Sequence, residues 1–126
     1  LKRLRIESRI VEGMELFDGG ETAVAAVDLA MVAQLGADER DLEDIASFVG
    51  QVEGVKNAIT IRELRPGTCK LSLRTDPEVL NASRVCALLG GGGHAAAAGC
   101  TVEAPWAEAR ERILAAVAQV APDYQR

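Results

Sequence analysis

Apolar positions in this chain follow two rhythms, and the places where the rhythm changes mark its elements. Residues Leu1 to Val11 set Leu1, Leu4, Ile10 and Val11 among Arg, Lys and Glu, which predicts a short, loosely amphipathic helix. Met14 to Phe17 and Glu21 to Leu29 flank Asp18-Gly19-Gly20, a glycine turn between apolar runs that predicts a hairpin. Within it, Ala23 to Val27 is apolar on both faces, as suits a central strand. Asp38 then predicts a helix start, its carboxylate accepting from the N–H near Asp41. Leu42, Ile45, Ala46 and Val49 form one apolar face, and Gly50 and Gly54 bracket the end.

Val55 to Leu64 and Thr68 to Thr75 flank Arg65-Pro66-Gly67 and predict a second hairpin. In its second strand the alternation is sharp: Cys69, Leu71 and Leu73 point one way, Lys70, Ser72 and Arg74 the other. Asp76-Pro77 breaks the strand. Asn81 predicts the N-cap of a helix carrying Ala82, Val85, Cys86 and Leu89 on one face, which runs into Gly90 to Gly93. A short strand follows over Gly99 to Glu103. A last helix opens with Pro105 at its first position, buries Trp106, Ala109, Ile113, Val117 and Val120, and is stopped by Pro122. The order predicts an α/β fold: a mixed sheet of about five strands flanked by helices.

Composition narrows the class. The 126 residues suit one domain, and 48% apolar content can fill a core, although at 3% aromatic that core must be aliphatic. No apolar run approaches the length of a membrane span, and the basic start Leu1-Lys2-Arg3-Leu4-Arg5 lacks the apolar stretch of a signal peptide. The missing initiator methionine suggests a fragment or processed product. Cys69, Cys86 and Cys100 are odd in number and contain no C-x-x-C pair, so they read as small buried hydrophobes in a reducing cytoplasm. A net charge of −5 opposes binding to long nucleic acid but not to a short phosphorylated ligand held by a few cations.

The chemistry centres on Gly90-Gly91-Gly92-Gly93-His94. Four glycines let a backbone curl tightly or let a ligand touch main-chain N–H groups, and the one histidine of the chain follows them directly. A flexible surface turn with a solvated imidazole would also fit, as a solvated polar face would fit Lys70, Ser72 and Arg74. Together, however, they give two cations, a hydroxyl, main-chain donors and an imidazole, all suited to a phosphate. One strand exit and one helix join them, short enough to return the loop to the strand's C-terminal end. Catalytic parts are missing. One histidine cannot build a histidine metal cluster, and no G-x-x-x-x-G-K-[ST] loop or serine elbow is present. Glu43, Asp44 and Glu63 read as solvated helix and strand-end charges.

Lys70-Leu71-Ser72-Leu73-Arg74-Thr75, then Gly90-Gly91-Gly92-Gly93-His94, then Ala97-Ala98-Gly99, resembles the DHH-associated domain of DHH-family phosphoesterases. Within that family it is most similar to the oligoribonucleases that degrade nanoRNA and dephosphorylate pAp. The resemblance implies residues 1–13 as a linker helix from an N-terminal DHH catalytic domain, and residues 14–126 as the substrate-binding domain. Catalysis would lie in the DHH domain, acting in cis through manganese; this chain would hold no metal and no catalytic residue. Arg74, Gly91, Gly92, Gly93 and His94 would meet the substrate, with Ser72 in support and Lys70 nearby. The ligand would be a short oligonucleotide, pAp or a dinucleotide, and the full-length protein could form a homodimer. Thr75 replaces the family's common serine, and Ala95 and Ala96 stand where basic residues are frequent. RecJ-type exonucleases on long strands fit the acidic, aromatic-poor composition less well. The alternative is a non-catalytic nucleotide-sensing or interdomain packing module.

Overall fold

A computed structural model of the chain describes residues 1–42 and 45–121. Its elements run α1 (Lys2–Gly13), β1 (Glu15–Phe17), a 3₁₀ turn over Asp18–Gly20, β2 (Thr22–Val27) and α2 (Leu29–Leu35). Then come α3 (Glu39–Leu42), α4 (Ile45–Gly50), β3 (Asn57–Arg65), β4 (Thr68–Arg74), α5 (Ala82–Ala87), β5 (Gly92–His94), β6 (Ala97–Val102) and α6 (Trp106–Val120). Six strands form one sheet in the order β1-β2-β3-β4-β6-β5, with β2 and β3 parallel and every other pair antiparallel. This is the mixed α/β architecture that the element order predicts. Among the described residues no helix is long and apolar enough to cross a membrane.

The two faces of the sheet are filled differently. On one face Val24, Ile59, Ile61, Leu71 and Leu73 pack against Val85 and Cys86 of α5 and Ala109, Ile113 and Val117 of α6. On the other face Ala23, Ala25, Val27 and Ala58 pack against Ile6 and Ile10 of α1 and Leu42, Ile45 and Val49. Alanines dominate the strand side of this second core, so the helices sit close over β2 and β3. The three cysteines are free and buried. Burial pushes the Cys69 thiol up, and a hydrogen bond with Cys100 together with burial pushes Cys86 up. As predicted, they act as core hydrophobes.

Most local signals hold. Asp38 and Asp41 cap each other: the Asp41 N–H donates to Asp38 Oδ1 (3.0 Å) and the Asp38 N–H to Asp41 Oδ2 (2.8 Å). Asn81 Oδ1 accepts from the Arg84 N–H (3.0 Å), and the turns at Asp18–Gly20 and Pro66-Gly67 close the two hairpins.

Six expectations need correction. The sheet has a sixth strand, because the glycine segment itself pairs with β6 as an edge strand instead of looping freely. The second strand ends at Val27 and not Leu29, because Asp28 accepts from the Met31 N–H (2.8 Å) and Glu63 from the Leu29 N–H (2.9 Å), starting the unforeseen α2. Glu63 is therefore a helix cap across the sheet, not a solvated charge. Pro105 is the cap of α6 and not its first residue. Trp106 is 37% exposed. One turn further along α6, the Arg110 guanidinium is bidentate to Glu15 (2.6 Å to each oxygen) and lies 5.7 Å over the Phe17 ring. In α1 the buried pair is Ile6 and Ile10, four residues apart on one face, while Leu1, Leu4 and Val11 are exposed. Glu43, Asp44 and Pro122 lie outside the described residues.

Candidate functional site

Strand order and register assemble the site. Strand β6 lies between β4 and β5, so residues on those two strands meet across it. Arg74 pairs with Ala97, and Ala97 pairs with His94. One step along, Ser72 pairs with Gly99, and Gly99 with Gly92. Directly paired residues share a face. Arg74 and His94 therefore stand on one face, two interstrand spacings or about 10 Å apart, with only a methyl group between them. Gly99 and Gly92 continue the low floor beside them. Lys70, Ser72 and Arg74 form one wall, and Gly92, Gly93 and His94 the other, of an open groove of about 400 Å³.

The groove face carries concentrated positive charge within an acidic protein. Lys70 stands directly opposite Arg62 of β3. Like charges so placed destabilise a sheet unless something offsets them. Glu39 of α3 pairs with Arg62 and offsets that one charge. Among the described residues, the side chains of Lys70, Arg74 and His94 have no ion-pair or hydrogen-bond partner, and neither does the Ser72 hydroxyl. Lys70, Arg74 and His94 are exposed. The arrangement can bind an anion by charge-assisted hydrogen bonds.

The four glycines do different jobs. The Gly90 and Gly91 N–H groups donate to the carbonyls of Ala87 (3.2 Å) and Cys86 (2.9 Å), so the run is not a row of free donors. Gly91 lies outside the groove lining. A Cβ there would fall 2.2 Å from the Gly99 carbonyl oxygen, so glycine is required by strand contact. Gly93 has φ +150°, and its Cβ would meet the Ala97 oxygen at 2.7 Å. Gly92 alone lines the groove with no strained φ and no atom within 4 Å of the place a methyl group would take. On the far side of β6, the Thr75 N–H donates to the Ala96 carbonyl (2.9 Å). Antiparallel alternation then turns the polar groups of Ala97 and Gly99 toward β5 and leaves the Gly93 N–H at the open edge.

Thr75 holds this geometry. Its hydroxyl lies 2.7 Å from the Leu80 carbonyl and 3.1 Å from that of Ala95, and the Ala82 N–H also donates to Ala95 (2.8 Å). The Ala95-Ala96 turn, and with it His94, is thus tied to the segment that leaves Arg74. The single proton of this hydroxyl goes to one of these carbonyls, so its donor is committed inward.

A manganese ion finds no seat in the groove. Lys70 and Arg74 are cations and repel a metal ion, and among the described residues no three His, Cys, Asp or Glu side chains are grouped to hold one. Sequence reasoning missed Thr60 and Arg62, which adjoin the groove through Ser72 and Lys70. Their alternation with the buried Ile59 and Ile61 was the available signal.

A family model for the DHHA1 domain matches residues 21–122. The chain belongs to the DHHA1 family. Solved structures share the fold of this DHHA1 domain. An exopolyphosphatase-related protein from Bacteroides fragilis matches with a TM-score of 0.82 at 22% identity, covering 96% of this chain and 35% of its own. A pGpG-specific phosphodiesterase from Vibrio cholerae matches with a TM-score of 0.65 at 12% identity, covering 94% of this chain and 38% of its own. The C-Ala domain of alanyl-tRNA synthetase from Aquifex aeolicus matches with a TM-score of 0.56 at 15% identity, covering 82% of this chain and 96% of its own. The DHHA1 domain thus spans little more than a third of the first two proteins. No curated protein matches it.

Proposed function

We propose that this DHHA1 domain is the substrate-binding part of a DHH-family phosphoesterase, and that its groove grips a phosphate of a short oligonucleotide, pAp or a dinucleotide. The observation that carries the reading is the shared row across three strands. It sets Arg74 and His94, both without partners among the described residues, on either side of a floor of Ala97, Gly99 and Gly92. Arg74 makes the bidentate contact, His94 donates from the opposite wall, and Lys70, Ser72 and the Gly93 N–H complete the cradle. Gly91 serves by packing. A manganese-bearing DHH domain in the same polypeptide supplies the activated water, and the free cysteines suit a cytoplasmic setting. The chain alone therefore hydrolyses nothing, with or without manganese. Release of mononucleotides by the purified chain would contradict this.

Gly92→Ala gives the sharpest test, because the added methyl meets no protein atom and enters only the space assigned to the ligand. The domain is titrated with a 5′-phosphorylated dinucleotide while its backbone amides are followed. The expected result is shifts at Gly92, Gly93 and His94 in the unaltered chain, weakened by Gly92→Ala, Arg74→Ala and His94→Ala without change in folding. Unchanged binding in all three variants would leave only the packing role.

A further inference from the structure

On the sheet face that α5 and α6 cover, away from the groove, lies a cavity of about 210 Å³. Its polar groups come from the beginnings of strands. Asp18 belongs to the turn before β2, Thr22 is the first residue of β2, and Asn57 is the first residue of β3. Thr22 and Asn57 stand side by side in the parallel pair and are 1% and 2% exposed. The Asn57 amide nitrogen donates to the Thr22 hydroxyl oxygen at 3.3 Å, while Asn57 Oδ1 is buried and has no donor among the described residues. The Asp18 carboxylate likewise has no ion-pair or hydrogen-bond partner among the described residues. A buried carbonyl left without a donor costs free energy, so one that persists in a folded chain points to a partner from outside it. The remaining walls are aliphatic: Val79 and Leu80 before α5, and Val117 and Ala121 at the end of α6.

This combination selects the ligand. Asp18, Thr22 and Asn57 all offer acceptors, and Asp18 carries negative charge in a protein of net charge −5, which favours a cation. A divalent metal ion is a poor match. It takes about six oxygens or more, whereas a single carboxylate, a hydroxyl and a carbonyl stand here among aliphatic side chains. A primary ammonium group brings three N–H donors on an alkyl body. The donors match Asp18, Thr22 and Asn57, and the body matches Val79, Leu80, Val117 and Ala121. At about 210 Å³ the cavity is smaller than those that take drug-sized molecules, so the chain of the amine is short. We propose that this cavity is a binding site for a small aliphatic primary amine in its ammonium form. It lies on the opposite face of the sheet from the phosphate groove and stands or falls independently of that reading.

The test titrates the whole chain with n-butylamine at neutral pH and fixed ionic strength, following the backbone amides and the Asn57 side-chain amide. The expected result is saturable shifts at Thr22, Asn57 and Leu80. Tetramethylammonium, which has the charge but no N–H, and butanol, which has the chain but no charge, should produce none of them. Asp18 has φ +54°, a conformation that asparagine also adopts readily, so Asp18→Asn removes the charge and keeps the turn. It should weaken the amine roughly tenfold. Ala121→Leu fills the aliphatic end and should weaken it too, with no change in charge. If butanol shifts the same amides as strongly as the amine, the cavity is merely apolar and the proposal is overturned. Equal shifts with tetramethylammonium, or undiminished amine binding in Asp18→Asn, overturn it as well. If none of the probes shifts these amides, no amine site exists and water meets the Asn57 carbonyl.

Discussion

Two halves of one sheet face have opposite fates. Over β2 and β3, Ala23, Ala25, Val27 and Ala58 are sealed beneath α1, α3 and α4. Over β4, β6 and β5 the same face carries Lys70, Ser72, Arg74, Thr101, Ala97, Gly99, Gly92 and His94; α4 reaches only its β4 margin, and Lys70, Arg74, Thr101, Gly92 and His94 are exposed. A bare half-face of alternating cations and minimal side chains contributes little to stability: it buries no large apolar group and leaves positive charges unpaired. The sheet can carry it because the reverse face of these strands is filled by Leu71, Leu73 and Cys100 beneath α5 and α6. The lesson is a division of labour across the thickness of the sheet. β4 holds the fold with Cys69, Leu71 and Leu73 and turns Lys70, Ser72 and Arg74 toward the groove.

That division can be broken from either side. The largest effect is expected from the covered side. Leu71→Ala removes a fully buried side chain and should destabilise the domain by about 2–5 kcal/mol, read as a lowered midpoint of chemical denaturation. Next is Gly91→Ala, which forces a methyl into the Gly99 carbonyl and should cost about 1–3 kcal/mol. Amide shifts confined to β5 and β6 would show that the damage is local. Thr75→Val removes the hydroxyl between Leu80 and Ala95, and should cost about 1–2 kcal/mol while loosening the His94 turn, seen as faster amide exchange at residues 94–97.

The smallest effect on stability should come from the bare side. Arg74→Ala is expected to leave the denaturation midpoint within about 0.5 kcal/mol of the unaltered chain. The same substitution should weaken a phosphate ligand by about 1.5–3 kcal/mol, roughly tenfold or more, in an amide-shift titration. A large loss of stability in Arg74→Ala would show that the two sides of β4 are not independent.

Much of this was legible along the chain. The Asp38–Asp41 and Asn81 caps, both hairpin turns and the two-faced pattern of residues 69–74 all depend on neighbours within a few positions, which is the range local sequence reports. The misreadings arose where a distant partner decides. Glu63 caps α2 from 34 positions away, and Arg110 reaches 95 positions back to Glu15. The glycine segment read as a loop because Gly92–His94 lacks any strand-forming side chain; its strand state comes wholly from pairing with β6.

The amino-acid sequence by itself determined which groups are available and on which side of β4 they lie. Side-chain alternation is a property of the extended backbone and needs no partner. Only the tertiary structure decided that β6 inserts between β4 and β5, that on this face the helices reach no further than β4, and that of the glycines only Gly92 presents open space to the groove. Those outcomes follow from register and from packing between segments far apart in the chain, where close contact, not local preference, selects the arrangement.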